Sequence, residues 1–451
     1  MAKRIPKRTS QAILQSLSAG VVPRTGAEYI AVGRKDELSA LLNDLDDIVA
    51  EGGATFRMIV GRYGSGKSFL LQLLRNYAFK RKFVVADADL SPQKRLTGSK
   101  NEGLELYREL LNNMAIDTRP AGNAFAALLE KWINNIQSEV VKAGTSPSLP
   151  SFAKEVEARI HATISDMEGM VHGFYFATVI NAYWRGHQEG DDELKSNAIR
   201  WLRGEFNTKT EARQALNVRV IIDDNTWYDY IKLLAYFMRQ IGYKGLIVFI
   251  DEAVNLYHIS HSVSRNNNYE RLLTILNDTL QGKAEHLGVL FGATPQMVED
   301  TRRGLYGYEA LKTRLEDSRF ARQGLRDMSG PLIRLDILSH SEIFLLLQTI
   351  REIHAKHHKY DGRLDDRHLQ AFMSIVLERI GADTLLTPRE VLRDFVALLN
   401  LLQQNPDESF ESLVGEVQFS TGTPFTDPEA LTAAAEIQDD NGSSPYASFE
   451  I

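Results

Sequence analysis

Gly61, Gly66, Lys67 and Ser68 occupy the four fixed places of G-x-x-x-x-G-K-[ST] in the stretch GRYGSGKS. That set of residue types at that spacing suits the holding of phosphate. Gly61, Gly64 and Gly66 free the backbone to take conformations that side chains forbid, so successive N–H groups can turn toward one anion. A helix that starts where the loop ends adds its own partial positive charge. Lys67 supplies a point charge for the outer phosphates of a nucleotide, and Ser68 offers a hydroxyl to Mg²⁺.

A second constellation lies 184 positions after Lys67, where GLIVFIDEA ends on Asp251 and Glu252. A carboxylate closing an apolar strand can hold the water shell of Mg²⁺, and the glutamate beside it can orient or deprotonate an attacking water. The phosphate loop alone predicts nucleotide binding; Glu252 adds the expectation of hydrolysis. The competing reading of the pair is two surface acids at a capped strand end. Thr294, in GATPQ, ends the next strand, where a hydroxyl can touch the γ-phosphate or the water; the alternative is a plain turn. Arg314 follows in YEALKTRLE, with Arg319 and Arg322 competing for the same part. An arginine there either stabilises transition-state charge in a neighbouring subunit's site or decorates a surface helix. Arg389 opens the helix of TPREVL, where it either reaches the phosphates and couples a lid to nucleotide state or sits on the surface.

Other groups that could do chemistry read more simply as structure. HAKHHK, from His354 to Lys359, has no carboxylates at a telling spacing and reads as an exposed helix end rather than a metal cluster. Asp223 and Asp224 precede a helix and read as caps. All four tryptophans, Trp132, Trp184, Trp201 and Trp227, fall in one helix-rich stretch. They read as its core, with base stacking as the minority alternative.

The elements that must position these residues are five short apolar runs and many amphipathic ones. RMIV, KFVVADADLSP, GLIVFIDEA, LGVLFGATPQ and PLIRLDIL predict strands. Their continuous apolar character predicts a parallel sheet buried on both faces, with ligands at the carboxyl ends. Leu38, Leu41, Leu42, Leu45 and Ile48 share one face of a predicted helix before the loop. The expected organisation is a loose basic arm over 1–25 (Lys3, Arg4, Lys7, Arg8) joined to a short helix, then an α/β core in two parts, 26–95 and 241–338. A helical insertion over 96–240 splits that core, and a helical lid over 339–417 and an acidic, disordered tail over 418–451 follow.

Composition narrows the class. The 451 residues are 43% hydrophobic and 25% charged, ordinary for a globular protein. With no cysteine, disulfides, thiolate nucleophiles and cysteine-held zinc are excluded. No apolar run reaches membrane-spanning length and the basic N-terminus lacks a signal-peptide core, so a cytoplasmic protein with no membrane partner is expected. The net charge of −7 is uneven: from Asp394 onward there are 11 acids and no Lys or Arg, against 52 basic and 48 acidic residues before it, a net of +4.

Together, VGRKDEL, GRYGSGKS, FIDEA, GATPQ and TPREVL resemble an AAA+ ATPase. The broader pattern over ~20–400, including PRTGAEYIAVGRKDEL, NAIRWLRGE and IGYKGLIVFIDEAVNLY, is similar to the ATP-binding proteins of bacterial phage-defence operons typified by BREX. The resemblance implies an α/β AAA+ P-loop core with ATP and Mg²⁺ as cofactors. Ile30, Gly33 and Arg34 would lie near the adenine, and Gly64, Ser65, Gly66, Lys67 and Ser68 at the phosphates. Asp251 and Glu252 would be the Walker B pair, Thr294 sensor 1 and Arg389 sensor 2. It also implies a partner-dependent ATPase and homo-oligomer, encoded beside a helicase and in some systems a TerB-domain protein, acting on or around DNA. The other reading is a signalling switch that assembles partners without acting on DNA itself.

Overall fold

A computed structural model describes residues 5–317, 327–360, 363–380 and 387–416. Lys3, Arg4, Arg319, Arg322 and the acidic stretch 418–451 lie outside the described residues. All five expected strands are present: β1 (Ala54–Gly61), β2 (Val84–Asp89), β3 (Leu246–Asp251), β4 (Leu287–Ala293) and β5 (Leu332–Leu335). They form one sheet in the order β2-β3-β4-β1-β5, and the pairs β2/β3, β3/β4 and β4/β1 are parallel. Every residue of β4 is buried, and β1 and β3 are buried at all but one terminal position, as a sheet covered on both faces requires.

The chain divides into two compact units. One comprises Ala40–Val60 and Arg75–Ile333. Its insertion, between β2 and β3, is a run of helices: α4 (Glu102–Asn112), α5 (Phe125–Lys142), α6 (Pro150–Ser165), α7 (Gly173–Glu189), α8 (Asp192–Leu202), α9 (Lys209–Leu216) and α10 (Trp227–Gln240). These helices do not form a core of their own. Their buried residues join those of the sheet in one continuous cluster that holds all four tryptophans, so no tryptophan is left as an open stacking platform. Asp223 caps locally, accepting from the N–H groups of Asn225 and Thr226 ahead of α10. Asp224 instead reaches across the sequence to α4, accepting from the Gly103 N–H (2.6 Å) and the Thr97 hydroxyl (2.6 Å).

One expected helix face is broken. Helix α2 (Lys35–Asn43) passes into a π-helical turn over Asp44–Val49. Leu38, Leu41, Leu42 and Leu45 are buried, but Ile48 is 40% exposed and Val49 takes the inward place. A π turn holds more residues than an α turn, so the face slips by one position. The same turn directs Asp44 inward, where its carboxylate accepts from Arg57 Nε (2.5 Å) and Nη2 (2.7 Å) on β1 and from the Thr55 hydroxyl (3.2 Å). Helices α11 (Val254–Tyr257), α12 (Ser262–Leu280), α13 (Pro295–Glu299) and α14 (Glu309–Leu315) complete this core; α3 (Lys67–Lys80) follows the loop and is divided between the two units.

The other unit takes the residues up to Ser39, Gly61–Leu74 and those from Arg334 onward. It contains α1 (Lys7–Ser18) and the lid helices α15 (His340–His358), α16 (Asp366–Ile380), α17 (Pro388–Gln404) and α18 (Phe410–Glu416). The arm is not loose from residue 7 onward. Lys7 and Arg8 begin α1, which buries Ile13, Leu14 and Leu17 in the cluster formed by α15, α16 and α17.

The histidine run is also only partly exposed. His354 shares the buried face of α15 with Leu347 and Ile350; its ring nitrogens meet the Tyr360 hydroxyl and Asn400 Oδ1, both at 3.0 Å. His357 contacts the Ser10 hydroxyl of α1 at 2.8 Å. Burial, then the neighbouring histidines, hold His354 below the ordinary imidazole value; burial, His358 and Lys7 do the same to His357. A lowered native value means that the unfolded chain takes up protons first as pH falls below about 6.5. The stability present above that value is therefore lost toward acid. Urea midpoints should drop between pH 7.5 and 5.5, and His354→Gln should make that drop shallower; an equal drop in both proteins would contradict this account.

Candidate functional site

The phosphate loop connects β1 to α3. Gly64 and Gly66 have φ of +81° and +90°, the region that only glycine enters without strain. A Cβ on Gly66 would project into open space, with no atom within 4 Å, so the loop is uncovered at that residue. Lys67 is the first residue of α3, and its Nζ donates to the carbonyls of Gly61 (2.7 Å) and Arg62 (3.0 Å). Ser68 follows in the first helical turn. Backbone N–H groups at a helix start, a flexible cation and a hydroxyl are the donor set that nucleotide phosphates and a divalent cation require.

Ser65, expected at the phosphates, serves the loop itself. It is fully buried; its N–H donates to the Arg62 carbonyl (3.1 Å) and its carbonyl accepts from Arg34 (2.9 Å). Arg34 is likewise a structural clamp. Its buried guanidinium also donates to the Asp336 carbonyl, just past β5, and lies 3.6 Å from the Glu37 carboxylate. Gly33 before it, at φ +68°, has the Glu342 carboxylate where a Cβ would stand, 1.9 Å away. Ile30, the third residue expected near an adenine, is buried in the lid core. Neither the clamp nor the burial of Ile30 was readable from the motif; the one sequence signal was an arginine directly after a glycine turn. Arg389, in the first turn of α17, rests on Tyr63 of the loop, donating to its hydroxyl (3.2 Å).

The carboxylates stand on the sheet. Val60 of β1 is in register with Ala293 of β4, and Ile250 of β3 with Phe291. The strand running into the loop, the strand ending at Thr294 and the strand ending at Asp251 therefore finish at one edge. Asp251 Oδ1 accepts from the N–H of Glu252 (2.8 Å), and Glu252 has φ +56°, strained for a residue with a side chain. Asn255 holds that turn from below, its amide donating to the carbonyls of Leu90 (2.9 Å) and Glu252 (3.1 Å). Asp89, in register with Asp251 on β2, adds a further carboxylate that the motif reading did not include. The protein crowded around Asp89, then the charge of Asp251, raises its carboxyl above the usual range. Thr294 caps α13 through the Met297 N–H (3.3 Å). Arg314 donates to Asn277 Oδ1 and the Ala310 carbonyl, both at 2.8 Å, on an exposed face of α14.

A family model described as BREX system ATP-binding protein BrxC/D matches residues 5–418. The chain belongs to that family. No curated protein matches it significantly. Membership in a family of BREX ATP-binding proteins supports ATP as a ligand and phage defence as the setting. The BrxC/D match runs through both the loop and the Asp251–Glu252 edge. Among the described residues no helix is long and apolar enough to cross a membrane.

The strain at Glu252 has a direct test. Alanine keeps the Cβ that clashes at positive φ and glycine removes it, so Glu252→Gly should be more stable than Glu252→Ala by about 1 kcal/mol. Urea unfolding measures the difference, and equal stability would mean that the turn is not strained.

Proposed function

We propose that this BrxC/D-family protein is an AAA+ ATPase that binds ATP with Mg²⁺ and hydrolyses it. The observation that carries the reading is the strained Asp251–Glu252 turn at the end of β3, in a chain whose GRYGSGKS loop connects β1 to α3. Backbone strain at a strand end is held by surrounding structure where a side chain must be aimed. Lys67 Nζ moves from the Gly61 and Arg62 carbonyls to the outer phosphates. The Ser68 hydroxyl and Asp251 would hold the cation, and Glu252 orients a water and takes its proton. When bound, Mg²⁺ would supply charge that neutralises the phosphates. It would draw most of its oxygens from phosphate and water; among the described residues no three His, Asp or Glu side chains are arranged to hold a metal. Thr294 contacts the water or γ-phosphate, Arg389 the phosphates from the lid, and Arg314 the site of a neighbouring copy in a homo-oligomer.

The defence setting supports a partner-dependent motor acting on or around DNA with a helicase, and a TerB-domain protein is a further partner in that reading. The competing reading, a switch that assembles partners, draws support from the lid arginine resting on the loop, which lets lid position follow nucleotide state. Turnover measured with and without DNA, and with and without the neighbouring gene products, separates them. DNA stimulation that fades with salt supports the motor; activation by partners alone supports the switch.

Two substitutions test the chemistry. Lys67→Ala should weaken ATP binding and abolish defence; wild-type affinity and turnover would remove the loop from the site. Glu252→Gln should still bind ATP while turnover falls about two to four decades, and rapid hydrolysis by this variant would exclude Glu252 as the base.

A further inference from the structure

We infer that Tyr63, within the phosphate loop but outside its four fixed places, is a positioning residue that holds Arg389 of the lid against that loop; the catalytic consequence rests on the ATPase reading above. Tyr63 is 60% exposed, which is unusual placing for an aromatic ring unless it meets something. What it meets is Arg389: the guanidinium lies 5.8 Å from the ring centroid and Nη1 donates to the hydroxyl at 3.2 Å. This is cation–π and hydrogen bonding to one side chain at once.

The surroundings direct Arg389 to this place. Thr387 and Glu390 close a capping box at the start of α17, with Pro388 at the first helical position, so the backbone that carries Arg389 is fixed. A Cβ on Gly64, the residue after Tyr63, would lie 3.0 Å from the Thr387 side chain, so loop and cap are in van der Waals contact. From the other side, the stem of Arg389 lies alongside Gly20, its Cγ within 3.6 Å of where a Cβ there would stand, an ordinary packing distance. Stem, backbone and head of Arg389 are each held by a different part of one unit, and Tyr63 is what holds the head.

A guanidinium already resting on the loop has little distance to travel when a γ-phosphate arrives, and a charged phosphate oxygen is a stronger acceptor than a phenol. Tyr63 therefore lowers the reorganisation that Arg389 must undergo in the transition state. The effect belongs in kcat, because the ring orients another residue rather than gripping the nucleotide.

The test uses the full chain and five proteins: wild type, Tyr63→Phe, Tyr63→Ala, Arg389→Ala and the double alanine variant. Tyr63→Ala should lower kcat about 5–20-fold with KM within about 3-fold, and Tyr63→Phe, which keeps the ring beneath the guanidinium, should recover most of the loss. The double variant should be no slower than Arg389→Ala alone. Additive losses, an unchanged kcat in Tyr63→Ala, or a loss confined to KM would overturn the inference. Side-chain NMR on nucleotide-free protein is the independent arm: the Arg389 guanidinium, followed at Nε, should become more mobile in Tyr63→Ala and stay close to wild type in Tyr63→Phe. Unchanged guanidinium mobility in Tyr63→Ala would show that Tyr63 does not hold Arg389. If the wild type fails to hydrolyse ATP, the ATPase reading falls, and the side-chain mobility alone decides the contact.

Discussion

A parallel sheet cannot be closed by hairpins. Each strand must leave at its carboxyl end and return by a crossover to the opposite edge, so every connection that follows a strand starts from the same side. In this protein that constraint brings Asp251 and Glu252 at the end of β3, Thr294 after β4 and Asp89 at the end of β2 to one side of the sheet. The residues are far apart in sequence and share an edge because the strands share a direction. The same constraint explains where the chain could take up its large insertion. A crossover between β2 and β3 was needed in any case, and α4–α10 enlarge it while packing their apolar faces into the sheet's own core. The added helices extend one core and need not stabilise a separate small one, which would bury a smaller fraction of its surface.

A phosphate loop brings a second difficulty, because a glycine-rich turn has little side-chain packing to fix its shape. Arg34 answers it. A guanidinium presents several donors in a rigid plane, whereas an ammonium is a point charge, and Arg34 uses that plane to hold the Ser65 carbonyl and the Asp336 carbonyl together, with Glu37 balancing the buried charge. The turn before it is equally committed, since Gly33 leaves no room for a Cβ beside Glu342, the residue that completes the capping box of α15. Loop, preceding turn and the first turn of a lid helix are thus tied through backbone groups.

How much of this was legible follows from how local each interaction is. Continuous apolar runs announced all five strands, and the glycine–lysine–serine spacing announced the loop, because both signals lie within a few adjacent residues. The helix ending in Ile48 was misjudged since a π turn has no distinctive composition; the shift became visible only through the burial of Val49 and Asp44. The partner of Asp224 lies 121 residues away on α4, and that of Ser10 lies across the lid at His357. Neither pairing leaves a periodic trace. The histidine run illustrates the limit from the other side: its composition suggested one environment, but His354 is buried whereas His358, one turn further on the same face with its ring centroid 4.5 Å away, is exposed.

The interactions that could not be read from sequence are concentrated around the loop and the strand ends, and this has a physical reason. Core positions are specified by volume and hydrophobicity, for which many residues substitute. A ligand edge must instead aim particular atoms, and it does so by accepting local costs: a glutamate at positive φ, a guanidinium taken out of water, an exposed tyrosine beneath an arginine. Each cost is carried by a neighbour with no chemistry of its own, Asn255 for the Glu252 turn, Glu37 for Arg34 and the Thr387 cap for Arg389. Residues of that kind match no motif, because their role is defined by the atom they hold and not by their spacing from it.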